Sequence, residues 1–254
     1  MIRVILLGLI QGITEFLPIS SSGHLALFHH LLGDYPLLAL DVLAHLGTLL
    51  AIIYFFWPKL VLLANGLLGR MSKKENQRQK KLFFQLIFSS LPILFAGLIF
   101  GQKIILTFTK PRLLAIGFWV TALLLILGRF YHRPIKRGRF LLVGLCQALA
   151  IIPGISRSAS TIASNRVFGA DREEAFEFSF LLGLIAIAGA VVYEIPRIYH
   201  FSSWQIKEGL VVILVSFLSG LAALKILHRL FLDNKMWYLS FYCFFLGLAT
   251  LFLL

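Results

Sequence analysis

Residues 4–28 read VILLGLIQGITEFLPISSSGHLALF, and residues 140–163 read FLLVGLCQALAIIPGISRSASTIA. Both are apolar enough to enter a membrane, yet both are interrupted midway. The first carries Gln11, Glu15, Pro18, Ser20, Ser21, Ser22 and His24; the second carries Gln147, Pro153, Ser156, Arg157, Ser158, Ser160 and Thr161. A proline, a run of hydroxyls and a charge in mid-segment would leave polar groups unsatisfied in lipid. Such sequence persists at membrane depth only where protein buries it or where it lines a wet cavity. Each stretch is therefore predicted to be a re-entrant helix–loop–helix.

The rest of the chain supplies the membrane. Of 254 residues, 59% are apolar and only 14% charged, and the mean hydropathy is +0.89. That is too little charge to solvate a water-facing surface, and it excludes disorder and collagen. A net charge of +13 would suggest nucleic acid in a soluble protein. Here it is the mark of Lys and Arg gathered on one side of a bilayer, and no nucleic-acid partner is expected. Cys146 and Cys243 lie within apolar runs and imply no disulfide framework. Six stretches are long enough to span: 38–57, 83–101, 113–129, 174–193, 208–226 and 237–254.

The two interrupted segments match each other at an offset of 136 residues. Gly8, Leu9, Gln11, Ile19, Ser20 and Ser22 fall on Gly144, Leu145, Gln147, Ile155, Ser156 and Ser158. The same offset lays 38–57 on 174–193, and the remaining spans match once the long 58–82 loop is allowed for. The expected fold is thus an all-α polytopic membrane protein, one membrane domain over 1–254, built from two halves (1–130 and 137–254). Each half has one re-entrant hairpin and three transmembrane helices. Three crossings is an odd number, so the second half is inverted relative to the first.

Charge gives an independent test. With the 58–82 loop inside, inner segments hold 17 Lys and Arg and outer segments 6, with Arg157 left in the membrane. Both termini then lie outside. The hairpins enter from opposite faces and meet near the midplane, as substrate sites do in inverted-repeat transporters. A signal peptide over 1–23 is the plain alternative, but Gln11, Thr14 and Glu15 interrupt its apolar region. The basic run Lys73–Lys81 reads as a topology determinant in contact with anionic lipid.

Glu15 is the acidic residue of the first hairpin, with Gln11 one turn earlier on the same helical face. An ionisable group at membrane depth is a functional candidate, although a carboxylate paired only for packing is the bland reading. Arg157 is its natural partner. Six hydroxyl residues nearby (Ser20, Ser21, Ser22, Ser156, Ser158 and Thr161) exceed what a simple ion pair needs. An arginine among hydroxyls and helix-start N–H groups is a way to hold phosphate or diphosphate. His24 is a candidate acid or base, weighed evenly against a satisfied core histidine. The other six histidines have no such company, and none has zinc-ligand spacing. Glu15, with Gln11, would suit a hard cation such as Mg²⁺ or Ca²⁺ bound partly through a substrate phosphate. These residues alone leave open whether a phosphorylated ligand is hydrolysed or moved.

Two boxes close the gap: Gln11-Gly12-Ile13-Thr14-Glu15 followed by Pro18-Ile19-Ser20-Ser21-Ser22-Gly23-His24, and Pro153 to Thr161. They resemble the (E/Q)xxxE, PxSSSGH and PGxSRSxxT boxes of the bacterial undecaprenyl-diphosphatase, or bacitracin-resistance, family. Asp41-Val42 with His45 to Ala51, and Phe178 to Ala190, also look like family sequence. The resemblance implies hydrolysis of undecaprenyl diphosphate at the outer face of the cytoplasmic membrane, recycling the carrier for peptidoglycan precursors, with a homodimer compatible. Glu15, with Gln11, would bind the cation or act as acid/base, and Arg157 would hold the diphosphate. Ser21 would be the nucleophile with His24 as partner, although attack by activated water fits equally. Ser156, Ser158 and Thr161 would bind phosphate oxygens beside Ser20 and Ser22. Departures are Gln11 as the neutral choice, Ala159 in place of glycine and Ile185 in place of proline. The rival function is a polyprenyl-phosphate flippase or lipid transporter on the same scaffold.

Overall fold

The structure, a computed structural model, describes residues 1–32, 37–105, 110–131, 134, 138–194 and 203–253. Its regular structure is helical. The first half comprises α1 (Ile2–Phe16), α2 (Ser21–Leu32), α3 (Leu37–Phe55), α4 (Trp57–Leu67), α5 (Lys73–Ile105) and α6 (Pro111–Phe130). The second comprises α7 (Arg139–Ala148), α8 (Arg157–Val167), α9 (Arg172–Glu194), α10 (Ser203–Leu232) and α11 (Leu239–Leu253).

Both interrupted segments break where expected. With 15 residues, α1 is about 22 Å long and falls short of a hydrocarbon layer of about 30 Å. It stops at Leu17, whose backbone turns extended ahead of Pro18, and α2 starts at Ser21. The second segment passes from α7 through a 3₁₀ turn at Leu149–Ile151 to Pro153 and Gly154, which has φ +88°. There Ser156 caps α8 by accepting from the Ala159 N–H at 3.2 Å, a standard start for a helix with orphan donors.

Long apolar helices run over Lys73–Phe100, Pro111–Phe130, Arg172–Tyr193 and Gln205–Leu232, and α3 with α4 forms a pair bent by 72°. Two expectations change. The 58–82 stretch is not a loop: it holds α4 and the charged first turns of α5. Pro58 sits at the start of α4, where its missing N–H costs nothing. Ser72 opens α5 by accepting from the Glu75 N–H at 3.3 Å, so the basic run extends the spanning helix. The stretch 237–254 yields α11, a helix of 15 residues after a 3₁₀ turn at Met236–Tyr238. It is shorter than a straight span requires.

The first helix of each broken segment packs on the opposite half, α1 along α10 and α7 along α5. Gly8 and Gly144, repeat mates, sit in these crossings. A Cβ on Gly8 would stand 2.9 Å from the Val215 Cβ, and one on Gly144 would stand 2.5 Å from the Ser89 carbonyl oxygen. Beside them, buried Phe16, Phe56, Phe176, Phe180 and Phe231 make one core cluster, with Phe176 and Phe180 ring centroids 4.6 Å apart. This cluster underlies Glu15 through its neighbour Phe16.

Candidate active site

The last two turns of α1 carry Gln11, Thr14 and Glu15, all buried. Gln11 Nε2 donates to Glu15 Oε2 at 3.1 Å, the i,i+4 geometry a helix provides. After the Pro18 turn the chain folds back, and Ser21 Oγ donates to the same Oε2 at 2.6 Å. Ser20, with φ +71°, faces Ser22 Oγ at 3.2 Å and accepts from the Gly23 N–H at 3.3 Å. His24 Nδ1 lies 2.7 Å from the Ser20 carbonyl oxygen, and Nε2 lies 2.7 Å from the Tyr242 hydroxyl.

The second hairpin brings Arg157 from the first turn of α8. Arg157 Nη2 donates to Glu15 Oε1 at 3.1 Å, and Nη1 donates to the Ser179 carbonyl at 3.4 Å. Glu15 is buried and the Arg157 side chain is 12% exposed, so removing the arginine leaves an uncompensated buried charge costing about 3–5 kcal/mol. Ser156 Oγ and Ser158 Oγ are 3.1 Å apart. Ser158 Oγ donates to the Leu17 carbonyl at 3.5 Å, tying one hairpin to the other. Thr161 Oγ1 donates to the Arg157 carbonyl at 3.0 Å, so its hydroxyl supports the turn that carries the arginine. One carboxylate is thereby held between a hydroxyl and a guanidinium from two distant parts of the chain.

Residues 4–249 match the model of the family described as bacitracin resistance protein BacA. The chain belongs to the bacitracin resistance protein family. It is similar to the undecaprenyl-diphosphatase of Thermosipho africanus, 38% identical over 253 residues covering 98% of both chains. It is also similar to the undecaprenyl-diphosphatase of Protochlamydia amoebophila, 36% identical over 96% of this chain and 95% of that one. The undecaprenyl-diphosphatase of Korarchaeum cryptofilum is 35% identical over 99% and 98%.

In this family member, Glu15, Gln11, Ser21 and Arg157 come together directly, and Ser20, Ser22, Ser156 and Ser158 line the two turns beside them. No hydrogen bond joins His24 to Ser21 among the described residues. Ser21 is bonded to Glu15, and His24 to Ser20 and Tyr242. Three contributors escaped the sequence reading. Thr121 of α6 accepts from the Ser156 N–H at 2.8 Å and donates to the Gly154 carbonyl at 2.7 Å, pinning the Pro-Gly turn. Gly183 of α9 leaves the room that the Arg157 guanidinium fills, since a Cβ there would overlap it. Tyr242 of α11 reaches His24. Thr121 and Tyr242 each sit in an apolar run with no local pattern to mark them; only the odd polar group in a spanning helix could have raised the question.

The chemistry of the donors fits a hard cation. Gln11 Oε1 is buried without a hydrogen-bond partner among the described residues, beside the Glu15 carboxylate. Those two oxygen donors suit Mg²⁺ or Ca²⁺. Among the described residues no three of His, Cys, Asp and Glu gather to hold an ion, so a cation bound here would need substrate oxygens to complete its shell.

Proposed function

We propose that this chain hydrolyses undecaprenyl diphosphate to undecaprenyl phosphate and inorganic phosphate, recycling the lipid carrier of cell-wall synthesis. Relatives named for that activity match over nearly the whole length. The observation that carries the reading at residue level is Glu15 held between Ser21 and Arg157.

An arriving diphosphate competes for Arg157, which binds phosphate oxygens in the same forked geometry as a carboxylate. Glu15 then loses its cation and is ready for the Ser21 proton. Ser21 Oγ attacks the terminal phosphorus, its proton passing to Glu15. The bond from that phosphorus to the bridging oxygen breaks, and undecaprenyl phosphate departs with the electron pair and takes up the proton from Glu15. Water next attacks the phosphoserine, giving its proton to Glu15, which returns it to Ser21 Oγ as inorganic phosphate leaves. Arg157, the Ser156 and Ser158 hydroxyls and the N–H groups opening α8 stabilise charge on the phosphoryl oxygens. Mg²⁺ or Ca²⁺, held by Glu15 and Gln11, would add neutralising charge there.

We further infer that the two halves are inverted repeats, supported by the crosswise packing of α1 on α10 and α7 on α5. The charge asymmetry supports both termini, and the way into the site, on the outer face of the cytoplasmic membrane. The test is phosphate release from a long-chain polyprenyl diphosphate by purified protein in detergent, with and without EDTA, beside Glu15→Gln and Arg157→Ala. Metal-dependent release lost in both variants is expected. A folded, lipid-binding wild type that releases none would sink the hydrolase and turn attention to flipping in liposomes.

A further inference from the structure

We infer that Tyr242 is a positioning residue: its phenol occupies the basic nitrogen of His24 and so locks the serine turn that aims Ser21 at Glu15. This rests on the Ser21–Glu15 reading above. His24 Nδ1 faces the Ser20 carbonyl oxygen at 2.7 Å. A carbonyl oxygen only accepts, so Nδ1 carries the proton and Nε2 the lone pair. The Tyr242 hydroxyl, 2.7 Å from Nε2, therefore donates to it. The rings stack with centroids 5.7 Å apart and planes within 3°, and Phe118 meets His24 edge-on at 5.6 Å. The imidazole is held on both nitrogens and by both aromatic neighbours.

What it holds in turn is the backbone next to the nucleophile. Ser20 has φ +71°, which a residue with a Cβ keeps only against strain. Its carbonyl accepts from the His24 N–H at 3.2 Å as well as from Nδ1, and Ser21 follows directly. The His24 lone pair is thus spent on Tyr242, leaving Glu15 to receive the Ser21 proton. Among the described residues, the titratable groups from other elements that hydrogen-bond to His24 or Ser21 are Tyr242 on α11 and Glu15 on α1, while α6 presents Phe118. Since α2 packs mainly on α1, a tie from α11 fixes its otherwise open side.

The test combines Tyr242→Phe, His24→Asn and the double variant, assayed for kcat and KM, with ¹⁵N spectra of the His24 imidazole. Tyr242→Phe keeps the ring stack and removes only the hydroxyl. It is expected to lower kcat about tenfold with KM within about twofold, and to move the Nε2 resonance while Nδ1 stays protonated. In His24→Asn the side-chain amide can still donate to the Ser20 carbonyl, so that variant is expected to keep part of the activity, and the double variant to lose no more than it. Three results would overturn the inference: wild-type kcat in Tyr242→Phe, an unmoved Nε2 resonance, or a full further loss in the double variant. An inactive wild type would instead refute the hydrolase reading, a separate outcome.

Discussion

Ser21 opens α2 and Arg157 opens α8, and the two are 136 residues apart, the offset that also pairs Gly8 with Gly144 and Ser20 with Ser156. Both reach Glu15, Ser21 at Oε2 and Arg157 at Oε1. Their surroundings differ. Most of α8 is buried, from Ser158 through Asn165, and its start is capped by its own serine and propped by Thr121. The residues of α2 are largely half-buried or exposed, and its start depends on His24 and Tyr242. Two turns matched in sequence but not in backbone, with the positive φ at Ser20 in one and at Gly154 in the other, thus deliver complementary chemistry to one carboxylate, a hydroxyl from one side and a cation from the other. The glutamines diverge likewise: Gln11 donates to Glu15, whereas Gln147 is 0% exposed with both amide atoms unpartnered among the described residues.

The largest effect outside Glu15, Ser21 and Arg157 themselves is expected from Gly183→Ala. Its methyl group would take the space of the guanidinium, and a misplaced Arg157 should cut kcat/KM about 10²-fold. Thermal unfolding in detergent should also come earlier, because the displaced guanidinium leaves the buried Glu15 carboxylate without its cation. Wild-type kinetics would mean that α8 does not depend on α9 to hold its arginine. Next comes Thr121→Val, which strands the Ser156 N–H and the Gly154 carbonyl. Leaving buried polar groups unpaired costs about 1–3 kcal/mol, to be read as a lower unfolding midpoint. An unchanged midpoint would show that the second hairpin does not need its prop. The smallest effect sharpens the contrast of the glutamines. Gln147→Leu is expected to be neutral or slightly stabilising, since it removes unpaired polar atoms. Gln11→Leu should raise the Mg²⁺ concentration needed for half-maximal phosphate release. Equal damage from both would break the proposed division of labour.

The breaks at Pro18 and Pro153, the helical class and the candidate groups around Glu15 and Arg157 were legible because each is a local conflict with lipid. A charge, a proline or a hydroxyl run in an apolar stretch has few solutions. The 58–82 stretch was misread because charge density resembles a loop, whereas Ser72, Glu75 and the following lysines suit an exposed helix. The length of α11 also escaped, since apolar composition continues across the 3₁₀ turn at Met236–Tyr238 and does not mark where a helix begins.

Local composition, periodicity and the cost of burying charge suffice to place this chain in a membrane and to break it twice at related turns. They also single out the ionisable groups that must find partners there. Which partners those groups find is a matter of packing: Glu15 rather than His24 for Ser21, Tyr242 for His24, Thr121 for the Ser156 turn and empty space at Gly183 for Arg157. Each is a contact between segments brought together by the fold, and most join helices far apart in the chain. Such contacts depend on crossing geometry to within an ångström or two, which no stretch of sequence read alone contains.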